Sequence, residues 1–135
     1  MKSTLAFKIL SLASIVLLCS CEGATEMYYT VNNQSGQTIT VKSMSYYSEF
    51  GDTTITQIAP GVQSGILHRT ERGGRPEPDM PSYAFTYIGI FNEQLDSCTK
   101  DWTYEQNWPV NIRQLKRIPS EYRHDYSFVV TESDF

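Results

Sequence analysis

The chain has 135 residues, 11 Lys and Arg against 15 Asp and Glu, a net charge of −4 and 40% hydrophobic residues. That is one domain's worth of sequence, enough to bury a single core. Its negative, unclustered charge excludes nucleic-acid binders, which show basic patches, and excludes a polybasic membrane clamp.

Residues 1–8, "MKSTLAFK", carry Lys2 and Lys8 and no acid, and 9–18, "ILSLASIVLL", form an apolar run. A basic start and an apolar run of roughly 7–15 residues is the layout of a secretory signal. A spanning helix needs roughly 20 apolar residues, and Lys8 stops this run short of that. Leu18-Cys19-Ser20-Cys21 resembles the lipobox of bacterial lipoproteins, with Leu18 three positions and small Ser20 one position before the cysteine. The resemblance implies diacylglycerol on the Cys21 thiol and cleavage just before it, so Cys19 leaves with the signal peptide of residues 1–20. Two or more acyl chains anchor stably, each buried CH₂ contributing about 0.8 kcal/mol. Glu22, in place of an aspartate that resembles an inner-membrane retention signal, points to the outer membrane.

Residues 21–26 read as a tether and 27–135 as one domain. Five extended residues reach at most roughly 17 Å, so the domain is expected to hug the membrane. "MYYTVN" (27–32) is rich in aromatic and branched residues and reads as a strand. After the turn "NQSG", "QTITVKSMSYY" (37–47) alternates, with Ile39 and Val41 on one face and Thr40 and Lys42 on the other. "EFGDT" breaks the pattern, "TTITQI" (53–58) resumes it, and "APGVQSG" (59–65) is a turn before "ILHRT" (66–70).

"ERGGRPEPDMP" (71–81), with its prolines and glycines, reads as a projecting loop. "YAFTYIGIF" (83–91) is apolar on both faces and predicts a central strand. "PVNIRQLKRIP" (109–119) places Ile112, Leu115 and Ile118 at helical spacing, although Val110 and Ile112 would also serve a strand; a helical turn is expected. "YSFVVTE" (126–132) reads as the last strand.

Short strands with turns every 8–12 residues or so predict an antiparallel β-sandwich (immunoglobulin-like) or a small barrel. With the lipobox, "VNNQSGQTITV", "IAPG" and "YSFVVTESD" look like the small, uncharacterised β-sandwich lipoproteins of Gram-negative anaerobes. The resemblance implies a fold and a location, and no activity.

Chemistry is sparse. Once Cys21 carries lipid, Cys98 has no partner cysteine. It is expected to be a small buried or inert thiol, an intermolecular link or a catalytic thiol being the alternatives. His68 and His124 are flanked by arginines and polar residues, as at solvated strand edges. No H-x-H, C-x-x-C or H-E-x-x-H pattern supplies a metal site, and no cofactor is expected. Glu93, Asp96 and Asp101 cluster in "FNEQLDSCTKD", where loop acids either solvate a turn or serve a small extracytoplasmic hydrolase.

"WTYEQNW" sets Trp102, Tyr104 and Trp108 in a polar stretch. Such rings suit stacking on sugars or anchoring a protein partner. They are the candidate ligand-binding residues, expected as an exposed platform beside the 71–81 loop, with core filling as the alternative. The sequence therefore predicts a lipid-anchored envelope protein, either binding a surface glycan or another envelope protein or purely structural, with no catalytic residue assigned and the small hydrolase as the alternative.

Overall fold

The computed structural model describes residues 22–47 and 52–135; the expected signal peptide (1–20), Cys21 and residues 48–51 lie outside them. Seven strands follow in order: β1 (Ala24–Asn33), β2 (Ile39–Ser45), β3 (Thr53–Ile58), β4 (Gln63–Arg72), β5 (Phe85–Phe91), β6 (Val110–Lys116) and β7 (Glu121–Val130). They form two sheets, ordered β4-β1-β7-β6 and β3-β2-β5. The described fold is a β-sandwich. One pairing departs from the antiparallel expectation, because β1 and β7 run parallel at the centre of the larger sheet.

Period-two side chains build the core. In β1, Met27, Tyr29 and Val31 point inward; in β7, His124, Tyr126, Phe128 and Val130 do so. The Tyr29 and Tyr126 rings stack at 4.6 Å across the parallel pair. Ile39 and Val41 of β2 line the opposite wall as the alternation predicts, with Phe85, Ile88 and Ile90 of β5 beside them. Each such large side chain contributes roughly 1.5–3 kcal/mol on full burial. At one end the buried Asn33 side chain donates to the carbonyls of Gln37 and Ile58 (both 2.9 Å) and accepts from Ser35. The "NQSG" turn is thereby tied to β3.

Several expectations are corrected. The 83–91 segment is an edge strand, paired with β2 alone within its sheet. A bulge, where Met44 faces Tyr87 but Ser45 faces Phe85, puts Phe85 on the same inward face as Ile88 and Ile90. Tyr87 and Phe91 face outward. The 109–119 segment is strand β6, lying antiparallel on β7 from Val110–Tyr126 to Lys116–Glu121. A one- or two-turn helix would leave the peptide groups of β7's edge unpaired, whereas a strand satisfies them. Leu115 and Ile118, two of the three residues of the expected helical stripe, are exposed.

The 71–81 loop does not project. The Arg75 carbonyl meets the His124 Nε2 at 2.8 Å, and the Asp79 N–H donates to the Tyr126 hydroxyl at 2.8 Å. Thr25 adds a bond to the Gly73 carbonyl (2.7 Å) and accepts from the Arg75 N–H (2.9 Å). Arg69 and Arg75 pair with Glu71, and Arg75 also pairs with Asp79. His124 is therefore buried, not at a solvated edge as expected. A carbonyl only accepts, so its Nε2 carries the hydrogen and its Nδ1 faces the Tyr126 hydroxyl at 3.5 Å. His68 is on the exposed face, stacked on Tyr28 at 4.2 Å.

Candidate functional site

A groove of about 530 Å³ lies beside β5, walled by Tyr87–Phe91 on one side and the 97–102 segment on the other. β5 is free to supply this wall because its outer edge is only half covered. The Cys98 N–H donates to the Ile90 carbonyl (2.8 Å) and the Asn92 N–H to the Asp96 carbonyl (3.0 Å). Peptide groups alternate in direction along a strand. Those of Ile88 therefore point to the same edge, and no described residue beyond β5 bonds to them.

The outer rim is aromatic. Tyr87, Gly89 and Phe91 share the outward face, and a Cβ on Gly89 would run into the Tyr87 hydroxyl and the Phe91 ring. The glycine lets the Tyr87 ring lie flat along the strand toward Phe91. Lys42 of β2 stands over Phe91, its Nζ 5.3 Å from the ring centre.

The opposite wall is held from beneath. The Thr99 N–H donates to the Asp134 carbonyl at 2.7 Å, and the Lys100 Nζ donates to the Val129 carbonyl at 2.7 Å. The Asp101 carboxylate accepts from the Thr103 hydroxyl (2.7 Å) and N–H (2.8 Å). These bonds hold its carboxyl below the usual value. Cys98 is a free thiol, half-buried on this wall. Burial raises its pKa, which disfavours the thiolate a nucleophile needs.

The three expected platform residues part company. Trp102 lines the groove and is partly buried against the core. Tyr104 is 53% exposed. Trp108 is 3% exposed and sits in the core among Tyr29, Phe85 and Phe128, its ring 5.0 Å from that of Phe128. Its Nε1–H donates to the Trp102 carbonyl at 2.7 Å. Buried Trp108 thus positions Trp102 without being part of an exposed platform. The polar neighbours that suggested exposure belong to the Glu105–Asn107 turn, which carries no buried residue. Sequence reasoning missed Tyr87, Gly89 and Phe91 as site residues, because an apolar run reads as core; the one available signal was a glycine between two rings.

The loop acids serve local structure. The Glu93 carboxylate accepts from the Thr38 N–H (3.1 Å), the Asp96 carboxylate from the Asn92 side chain (3.2 Å), and of the three only Asp101 lines the groove. Among the described residues, no three His, Cys, Asp or Glu side chains gather at metal-binding distance. Rings, peptide edges and a few polar tips equip the groove to hold a ligand. No family model, no curated protein and no solved structure matches the chain.

Proposed function

We propose that this chain is a lipid-anchored binding protein of the cell envelope, held at the outer membrane by acyl chains on Cys21, and that it seats a surface glycan in the β5 groove. The observation that carries the glycan reading is the groove's make-up: the faces and edges of Tyr87, Phe91 and Trp102 beside polar Thr99, Lys100 and Asp101. Sugar rings present an apolar face and a hydroxyl rim, which aromatic side chains with neighbouring polar groups accommodate. A second reading, an envelope protein that adds a strand to β5, is favoured by the peptide groups of Ile88 turned to the open edge.

The test is a screen of envelope polysaccharides against the purified protein, read by quenching of tryptophan emission. Trp102→Ala is expected to weaken glycan binding about tenfold, or 1.4 kcal/mol. Saccharide affinity unchanged in Trp102→Ala and in Tyr87→Ala would remove the glycan from this groove. Fatty-acid labelling lost in Cys21→Ala supports the anchor; labelling that survives the substitution overturns it.

A further inference from the structure

The strand start tightens the tether. β1 begins at Ala24, three residues before the expected Met27, so only Glu22 and Gly23 separate it from Cys21. Gly23 is itself fixed. Its carbonyl accepts from the Gly73 N–H at 2.7 Å, and the next residue's N–H, on Ala24, donates to the Ser120 carbonyl at 3.0 Å. A Cβ on Gly23 would collide with that Ser120 carbonyl, so the chain leaves the domain through a slot that only glycine fits. The slot lies between the 73–80 loop and the 117–120 turn. From Gly23 to Cys21 is two residues, at most roughly 7 Å.

The same end of the sandwich carries most of the exposed large apolar side chains. Ile118 is 87% exposed at the turn after β6, beside Leu115. Tyr46 (70%), Tyr47, Met80 and Tyr83 (63%) lie where β2 ends and β5 begins. This end is shared with the start of β1, because Tyr47 lies under the Arg69 guanidinium at 4.2 Å and Arg69 pairs with Met27. Among the described residues, Val62 and Leu95 lie at the far end, Tyr104 follows the 97–102 segment and Ile55 lies within β3. Tyrosines among aliphatic side chains are the composition that settles at the boundary between headgroups and acyl chains.

We infer that this end is a lipid-docking surface: Ile118, Leu115, Tyr46 and Tyr83 enter the bilayer interface around the anchor, and the domain stands upright with the 92–96 and 131–135 loops pointing away. The occupant is the bilayer itself, because the chain exits at this end, between the 73–80 loop and the 117–120 turn, with no length for a stalk. The inference rests on the anchor at Cys21 proposed above. It adds an orientation that a lipid alone would not impose.

The test uses the full-length lipidated protein with Cys98→Ser and one added cysteine, Ile118→Cys or Leu95→Cys, each labelled with the same fluorophore. Both proteins are reconstituted in phosphatidylethanolamine–phosphatidylglycerol vesicles containing lipids with a nitroxide near the headgroup. The label at 118 is expected to be quenched several-fold more than the label at 95. Equal quenching, with fatty acid present on Cys21 in the same sample, overturns the docking surface and leaves the anchor standing. Absence of fatty acid overturns the anchor, and the inference falls with it. Shielding of position 118 from aqueous iodide without lipid quenching would mean that another protein copy covers this end, and also overturns the inference.

Discussion

β7 and β5 line the same core from opposite sheets, and they are built from opposite materials. β7, "EYRHDYSFVV", carries Glu121, Arg123 and Asp125 on its outer face, yet it has a partner on each side, β1 and β6. β5, "FTYIGIF", has no charge at all and lies at the edge of its sheet. What makes a strand central is that both rows of its peptide groups are paired; side-chain polarity reports only which faces are wet. The outer charges of β7 are solvated and locally matched, Asp125 with Arg113 (2.9 Å) and Arg123 (2.8 Å), while Arg123 lies 4.0 Å over the Tyr28 ring. Such exposed pairs are worth about 0–1 kcal/mol each and do not decide the strand's place.

The contrast is open to direct attack. The largest effect is expected in β7: Phe128→Ala empties a fully buried site against Trp108 and should cost about 3–5 kcal/mol in urea unfolding. A loss under about 1 kcal/mol would deny β7 its central role.

Next comes β5. Ile90→Ala also opens a cavity, but at a strand with one partner, and a cost in the lower half of about 2–5 kcal/mol is expected. An effect equal to that of Phe128→Ala would erase the difference between the two strands.

His124→Leu tests what the polar member of β7's inner face contributes. It strands the Arg75 carbonyl and should cost about 1–3 kcal/mol. Faster proteolytic cleavage within 73–80 is expected to accompany it, because His124 and Tyr126 hold that loop. A cleavage rate unchanged from wild type would show that the ion pairs and the bonds to Tyr126 and Thr25 hold the loop without His124.

The gentlest probe is alkaline pH. Burial pushes the Tyr126 hydroxyl from 10.0 up to about 12, and raises Tyr29 as well. Above pH 10 the unfolded chain releases protons that the folded chain keeps, so stability is intact below pH 10 and falls as pH rises toward 12. Melting temperatures followed from pH 8 to 12 should show this fall, and Tyr126→Phe should flatten part of it. A wild-type curve level to pH 12 would mean that the stacked tyrosine pair reaches water.

Much of this was legible in the sequence. Alternation at Ile39–Val41 and the branched, aromatic runs marked strands because period two is a local property of the chain. Glycine, proline and asparagine marked the turns for equally local reasons. The same reading placed a lone Cys98 in the domain. Only the tertiary structure decided which strands neighbour which, that β1 and β7 run parallel, and that β6 is a strand. Pairing joins peptide groups some hundred residues apart, and no local pattern records the partner. It also decided that Trp108 is core while Trp102 borders a groove, since two indoles in one polar stretch differ only in which meets Tyr29, Phe85 and Phe128. His124 followed the same rule: its neighbours in sequence are polar, and the inward side of a central strand buried it anyway.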